Sequence, residues 1–153
     1  MKELELDKNK ILEYQQNRDP YLMIDQATKV VPGKSSEGFK LLKENEWFFK
    51  VHWPGDPNMP GMLQIEALTQ MSALSILTMV GNKGEIMYLI SAEKLLFKKK
   101  VFPKKRLYIK TEVIKYKRGL GSFSAVGMIE NELVCSAKLN LVLPKEINKY
   151  NIK

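Results

Sequence analysis

The stretch from residue 52 to residue 80 decides the fold, and it reads HWPGDPNMPGMLQIEALTQMSALSILTMV. Asn58 is a candidate N-cap, Pro60 suits the first helical position, and Gly81 just beyond the stretch suits a helix stop. These signals predict one helix over about residues 59–80. Its apolar residues fall on nearly every side, which is typical of a helix buried in a protein core. The hydroxyl and amide side chains among them argue against a membrane span.

Two residues of this stretch are candidates for acid–base chemistry. His52 is the only histidine of the chain, and Glu66 is the only charged residue between Asp56 and Lys83. A lone loop histidine is more often a surface residue, and a helical glutamate usually marks a solvated face. This helix has no polar face, however, and a carboxylate in an apolar core is costly unless it is paired or protonated. The pair therefore indicates a site, with Glu66 as the acid and His52 as the base.

The motif residues resemble those of the bacterial 3-hydroxyacyl-acyl-carrier-protein dehydratases. The residues that match at the family's spacing are His52, Pro54-Gly55, Pro57, Met59-Pro60-Gly61, Glu66-Ala67 and Gln70. Upstream, the segment RDPYLMID at residues 18–25 is similar to the family's Arg-x-Pro-Phe-Leu-Leu-Val-Asp. The resemblance covers about residues 8–143. It implies a hotdog fold and the dehydration of (3R)-3-hydroxyacyl thioesters to trans-2-enoyl thioesters, in fatty acid or related acyl-chain biosynthesis.

The resemblance also implies how the site is assembled. In the family the histidine and the acid come from different subunits, which implies a homodimer here and leaves open a trimer of dimers. No cofactor and no metal are expected. The backbone N–H of Gly61 lies in the first turn of the predicted helix, where unpaired donors and the helix dipole favour negative charge. We expect it to serve as the oxyanion donor for the thioester carbonyl.

Length and composition indicate one domain over residues 1–153, with a core at about 8–143 and a polar tail at 144–153. The chain is 44% hydrophobic and 27% charged, as is ordinary for a globular protein. A single cysteine excludes an internal disulfide, and together with a single histidine it leaves no metal constellation. No signal-peptide pattern follows Met1, so a reduced, cytoplasmic setting is expected.

The net charge of +8 has two interpretations. One is nucleic-acid binding, but no nucleic-acid motif accompanies the charge. The other is an acidic protein partner, and the resemblance favours acyl carrier protein. Three clusters carry much of the charge: Lys98–Lys100, Lys104–Arg106, and Lys115 with Lys117 and Arg118. Any one of them could be a solvated face, but the third matches a basic segment that precedes a glycine turn in the family. We therefore expect Lys115, Lys117 and Arg118 to dock the carrier.

The rest of the chain predicts an α+β fold, with an antiparallel sheet wrapped around the long helix. A short helix is expected over residues 7–16, starting at Asp7. The expected extended segments are Tyr21–Ile24, Ala27–Val31, Gly38–Leu42, Ile86–Ala92, Leu95–Val101, Leu107–Tyr116, Ser122–Ile129 and Leu133–Leu143. Tight connections are expected at residues 118–121 and 130–132.

Several features leave alternatives open. Tyr88 aligns with a family tyrosine near the mouth of the acyl tunnel, but a strand tyrosine packed at the core edge would look the same. The family has glycine where this chain has Val51, and Pro-Gly-Asp where it has Pro103-Lys104-Lys105. The alternative function is a hotdog thioesterase or a non-catalytic acyl-binding protein. His52 argues against it, because hotdog thioesterases commonly lack a histidine in this loop.

Overall fold

The computed structural model describes residues 2–150. Within that range the strands are β1 (Leu4–Leu6), β2 (Gln26–Val31), β3 (Ser35–Leu42), β4 (Tyr88–Phe97), β5 (Lys105–Lys117), β6 (Leu120–Ile129) and β7 (Glu132–Val142). The helices are α1 (Lys8–Tyr14), α2 (Trp47–Val51), α3 (Gly61–Leu77) and α4 (Pro144–Asn148). The strands form one antiparallel sheet in the order β1-β2-β3-β5-β6-β7-β4. The predicted α+β architecture is confirmed.

Helix α3 fills the concave side of the sheet. Gln64, Ile65 and every residue of the range 67–77 are buried, and the helix contacts β2, β3, β5, β6 and β7. Alternate residues of the central strands point at it and are buried, as the two-residue period of a strand requires. These residues are Leu107, Ile109, Thr111, Phe123, Ala125, Leu139 and Leu141. At Gly38 a Cβ atom would lie 2.7 Å from Met71 Cε and 2.1 Å from Gln26 O, so glycine permits the close approach of helix and sheet.

The two late hairpins have the predicted tight turns. Arg118 and Gly119 connect β5 to β6 with φ angles of 52° and 81°, and Glu130 and Asn131 connect β6 to β7 with 51° and 66°. Two consecutive residues with positive φ are the mark of a type I′ turn, whose twist matches that of the flanking strands. These turns fix the register of β5, β6 and β7 on both faces.

The predicted N-terminal helix is confirmed as α1. Its N-cap is Asp7, whose carboxylate accepts a hydrogen bond from the Lys10 N–H at 2.9 Å. Ile11 anchors the helix in the core. Strand β1 was not predicted, because a run of three residues is too short to show a period. Among the helices of residues 2–150, none is long and apolar enough to cross a membrane.

The boundaries of the long helix differ from the prediction. Helix α3 spans 61–77 rather than 59–80, and its N-cap is Pro60 rather than Asn58. The Asn58 amide donates instead to the carbonyl of Asp56 at 2.7 Å, so it is occupied within the loop. At the other end Thr78 caps the helix, and Gly81 adopts a φ of 88° four residues after the last helical residue.

Three further expectations are corrected. Residues 21–24 are not a strand, because their backbone groups bind a side chain of α3 instead of a neighbouring strand. The two strands expected at 86–92 and 95–101 are one strand, β4, whose register shifts between Glu93 and Leu96. The expected polar tail begins with α4, and its residues 151–153 lie outside the described range.

Candidate active site

His52 is held at the end of helix α2. It is the C-cap of that helix, and its N–H donates to the carbonyl of Phe48 at 3.0 Å. Phe48 is fully buried and anchors the helix to the core. The ring atom Nδ1 lies 3.1 Å from the carbonyl oxygen of Asn58. Because a carbonyl can only accept, Nδ1 carries the proton in this contact, which leaves Nε2 with a free lone pair.

The loop between His52 and α3 is fixed by its last residues. The N–H of Met59 donates to the carbonyl of Val101 at 2.7 Å, and the Met59 side chain is buried. The Met59 carbonyl accepts from Gln64 Nε2 at 3.0 Å. These contacts attach the loop both to the segment that follows β4 and to the first turn of α3. His52 and the start of α3 are therefore held in fixed positions relative to each other.

The first turn of α3 opens into a cleft of about 370 Å³. Its lining includes Gly61, Gln64, Phe97 and the basic run Lys98–Lys100. A Cβ atom at Gly61 would lie 2.9 Å from a carbon of the Phe97 ring, so the strand β4 approaches this turn closely. The first intrahelical acceptor, Pro60 O, receives the N–H groups of Leu63 and Gln64. The amide of Gly61 thus belongs to the donors that a helix start leaves free.

Glu66 lies one and a half turns further along α3. Its side chain is half-buried, so the expectation of a fully buried carboxylate is wrong for the single chain. Its Oε1 accepts a hydrogen bond of 2.8 Å from Gln70 Nε2. Gln70 itself is buried, and its oxygen accepts the N–H of Met23 at 2.7 Å while its nitrogen also donates to Tyr21 O at 2.9 Å. The segment 21–23 therefore sets the orientation of Gln70, and Gln70 sets that of Glu66.

Tyr21 lies close enough to Glu66 for their charges to interact. Burial, with a smaller contribution from the Glu66 carboxylate, raises the pKa of the Tyr21 phenol. The phenol therefore stays protonated at neutral pH and can donate a hydrogen bond. Among the residues that the structure describes, no hydrogen bond joins His52 to Glu66 within the chain.

The expected gate and the expected docking cluster share one face of the sheet. Lys117 pairs with Leu120, Leu120 with Val142, and Val142 with Tyr88. Residues directly opposite each other on neighbouring strands point to the same side. This row spans three strand spacings, about 14 Å from Lys117 to Tyr88. Tyr88 is 55% exposed in the single chain.

A second row lies beside the first and lines an open cleft of about 610 Å³. Here Ser122 donates to the Asn140 side-chain oxygen at 2.5 Å, and the Asn140 amide donates to Ser91 at 2.8 Å. Lys115 pairs with Ser122 at the end of this row. The apolar residues Ile90 and Leu120 also line this cleft.

The three basic clusters differ in how their charge is balanced. In the first two, Lys99, Lys100, Lys104 and Lys105 form ion pairs, with Glu132, Asp56, Glu44 and Glu130 respectively. Lys115, Lys117 and Arg118 form no ion pair with an acidic residue in residues 2–150. The positive charge of this third cluster is therefore free to act on a partner.

Residues 16–138 match the family model described as a FabA-like domain, which is most of the chain. The chain belongs to the FabA-like dehydratase family. Curated relatives support this assignment over nearly their full length. A 3-hydroxyacyl-acyl-carrier-protein dehydratase FabZ of Caldicellulosiruptor bescii is 39% identical over 131 residues, which is 86% of this chain and 94% of the relative. The FabZ protein of Bacillus licheniformis is 36% identical over 134 residues, covering 88% of this chain and 93% of the relative.

Solved structures support the fold. A dehydratase heterocomplex ApeI:P from Xenorhabdus doucetiae has a TM-score of 0.77 at 14% identity and covers 94% of this chain and 97% of its own. A hypothetical thioesterase with coenzyme A from Streptococcus pneumoniae has a TM-score of 0.56 at 14% identity and covers 74% of this chain and 80% of its own. The predicted hotdog fold, the FabA-like family and the hydro-lyase class are confirmed, and the thioesterase alternative is not favoured.

The sequence did not predict the roles of some residues in this site. Gln70 was part of the matching motif, but its hydrogen bond to Glu66 was not anticipated. The spacing of four residues was the available signal, because residues i and i+4 are neighbours on a helix surface. The contact of Phe97 with Gly61 had no sequence signal, since it joins positions far apart in the chain.

Proposed function

We propose that this protein dehydrates (3R)-3-hydroxyacyl thioesters carried on acyl carrier protein, giving trans-2-enoyl thioesters for fatty acid or related acyl-chain biosynthesis. It is a hydro-lyase of the FabA-like family. The observation that carries the residue assignment is the 3.1 Å contact of His52 Nδ1 with the Asn58 carbonyl, which orients the ring and leaves Nε2 for the substrate. A cytoplasmic location, in keeping with a single buried thiol, is part of this proposal.

His52 is the proposed base. Its Nε2 takes the proton from C2 of the substrate, and the electron pair of that C–H bond becomes the C2–C3 double bond. Glu66 is the proposed acid, because Gln70 occupies its Oε1 and leaves Oε2 to hold a proton. As the C3–O bond breaks, the departing hydroxyl takes this proton and leaves as water. Exchange of one proton from the imidazolium to the carboxylate restores both groups.

Gly61 is the proposed oxyanion donor. Negative charge develops on the thioester carbonyl as the C2 proton leaves, and a free N–H at a helix start stabilises it. Losing one such donor typically costs about 3–4 kcal/mol of transition-state stabilisation. The Phe97 ring lies against Gly61 and keeps this turn close to strand β4.

A homodimer through strand β4 is part of the proposal. This strand is the last in the sheet, and its apolar residues Leu89, Leu95, Leu96 and Phe97 are 38–45% exposed in the single chain. A long apolar edge strand pairs readily with another strand, and a second copy of the chain offers the same edge. Because Phe97 also contacts Gly61, such an interface would lie beside the site. The absence of a His52–Glu66 hydrogen bond in residues 2–150 fits a site shared between subunits.

Docking of acyl carrier protein at Lys115, Lys117 and Arg118 completes the proposal. The cluster is exposed, carries no ion pair within residues 2–150 and lines a cleft that includes Ile90 and Leu120. An acidic carrier would be attracted to it at long range. Tyr88 ends the row that starts at Lys117, and we assign it as the gate between the docking surface and the acyl tunnel.

One assay tests the proposed reaction. The protein is incubated with a 3-hydroxyacyl pantetheine thioester and, separately, with a saturated acyl pantetheine thioester. Dehydration produces enoyl absorbance from the first substrate and no free thiol from the second. Release of thiol from the saturated thioester, without enoyl product from the hydroxyacyl thioester, would show that the protein hydrolyses thioesters and does not dehydrate them.

A further inference from the structure

Strand β3 carries a buried lysine that is not part of the proposed active site. Lys40 of strand β3 is 5% exposed, and its ammonium lies 2.7 Å from Glu46 Oε1 and 3.4 Å from Asp25 Oδ2. The side chains of Asp25 and Glu46 are themselves only 13% and 15% exposed. Buried charges are retained only where each has a partner, so the three groups form one unit.

Asp25 connects this unit to the side of the site that holds Glu66. It ends the segment 18–25, and its Oδ2 also accepts the N–H of Leu41 at 2.7 Å. The same segment supplies the backbone groups that hold Gln70, the N–H of Met23 and the carbonyl of Tyr21. Gln70 in turn donates to Glu66. A shift of Asp25 would therefore be transmitted to Glu66 through a short series of hydrogen bonds.

Glu46 connects the unit to the side that holds His52. It is the N-cap residue of α2, and His52 is the C-cap of the same five-residue helix. Glu46 makes no side-chain capping bond to its own helix, so its carboxylate is committed to Lys40 instead. The two caps of this helix lie only about 8–9 Å apart, so a shift of Glu46 would reach His52 through little more than one helical turn.

We propose that Lys40 is a positioning residue that clamps Asp25 to Glu46. This clamp holds the two proposed catalytic groups, Glu66 and His52, at fixed positions in the site. The inference rests on the proposed function for its catalytic meaning. The indole of Trp47 supports the same geometry, since its N–H points to the carbonyl of Pro20 at 3.4 Å across the gap that Lys40 spans. Lys8 adds a second, partly exposed cation on this side, with its ammonium 2.8 Å from Asp19 Oδ2 and 3.7 Å from Asp25 Oδ1.

The clamp is tested with three variants. Lys40→Met removes the cation, and Lys40→Met combined with Asp25→Asn and Glu46→Gln removes all three charges. The matched control is Lys110→Met, which removes an exposed ammonium from Glu37 of the same strand β3. Displacement of a catalytic group by about 1 Å can cost roughly 10²-fold in rate. We expect kcat on a 3-hydroxyacyl pantetheine thioester to fall by about 10- to 100-fold in Lys40→Met, with KM nearly unchanged.

The triple variant separates positioning from charge balance. It leaves no unpaired buried charge, so its unfolding midpoint should recover toward the wild-type value. Its kcat should stay low, because the clamp is still missing. Recovery of kcat together with the midpoint would overturn the proposal, since Lys40 would then only compensate two carboxylates.

A second readout does not depend on turnover. Because His52 is the only histidine, protein labelled with carbon-13 at histidine Cε1 gives one histidine NMR signal per subunit. That signal should shift or broaden in Lys40→Met and in the triple variant, and stay in place in Lys110→Met. An unchanged signal with an unchanged kcat in Lys40→Met would refute the clamp. Failure of the wild-type protein to dehydrate any hydroxyacyl thioester would refute the proposed function, while the NMR signal would still report whether Lys40 positions His52.

Discussion

Gln70 and Glu66 are joined one turn apart on α3 by a hydrogen bond of 2.8 Å from Gln70 Nε2 to Glu66 Oε1. The amide cannot turn around, because its oxygen accepts the N–H of Met23 and its nitrogen also donates to Tyr21. Gln70 therefore presents a donor, and only a donor, to the carboxylate. This fixes which oxygen of Glu66 is free for the substrate.

Replacing Gln70 with Ala should lower kcat by about 10- to 100-fold, because the Glu66 carboxylate loses its fixed orientation. Stability should fall by about 1–3 kcal/mol, since the buried N–H of Met23 and the part-buried carbonyl of Tyr21 lose their partner. Thr69→Val is the matched control, because the neighbouring Thr69 hydroxyl is buried without a partner in residues 2–150. Urea unfolding and steady-state kinetics of both variants check this. A wild-type kcat in the Gln70→Ala variant would show that Gln70 does not position Glu66 for catalysis.

Tyr88→Ala should change the preference for acyl chain length, because its exposed ring lies at the end of the row that leads to Lys117. We expect kcat/KM to change by different factors for short and long 3-hydroxyacyl thioesters. The melting temperature should change little, since a side chain that is 55% exposed contributes little to the core. Equal factors for all chain lengths, with a clear fall in melting temperature, would assign Tyr88 to packing.

The sequence was sufficient for those features that depend on neighbouring residues. The Asp7 cap and the tight turn at Arg118 and Gly119 are local patterns, and each appears as predicted. The Pro/Gly-rich segment before α3 predicts the helix that follows, but the helix begins at Gly61 rather than at residue 59. The Lys40 cluster was not predicted, because Asp25, Lys40 and Glu46 lie apart in a charge-rich region and each resembles a solvated residue. Only the pairing of β3 with its neighbours brings them together.

The sole cysteine gives a pH-dependent test of the core. Cys135 is fully buried beside Gly127, and burial raises the pKa of its thiol to about 11. An acid whose pKa is raised by folding contributes stability that is fully present below its unfolded value, near 9, and is lost as pH rises toward 11. The expected loss is at most about 1.4 kcal/mol per pH unit over that window. Urea unfolding between pH 8 and 10.5 measures it, and Cys135→Ala should remove this part of the slope. An identical slope in Cys135→Ala would contradict the assignment.

Reversing Lys117 and Arg118 to Glu should weaken turnover of carrier-linked substrate strongly while leaving pantetheine-linked turnover nearly unchanged. The reason is that an acidic carrier loses its attraction to the cluster, whereas a small thioester does not use it. Wild-type turnover on the carrier should also fall as salt rises and the Debye length drops below about 10 Å. Lys104→Glu with Lys105→Glu is the matched control, because those lysines are already paired with Glu44 and Glu130. Equal losses on both substrates in the Lys117/Arg118 variant would contradict the docking assignment, because the substitutions would then act on folding or on the substrate pocket.

A site shared between subunits can be tested by mixing two inactive variants. His52→Ala and Glu66→Gln should each lose about 10²–10⁴-fold in rate, since each lacks one proton-transfer group. If His52 of one subunit works with Glu66 of the other, a mixed dimer contains one intact site and one doubly defective site. Random exchange makes half of the dimers mixed, so about one quarter of the sites regain activity. Unfolding the two variants together and refolding them, with each refolded alone as a control, measures the recovery by enoyl absorbance. No recovery in a mixture shown by mass spectrometry to contain mixed dimers would mean that each site is built within one subunit.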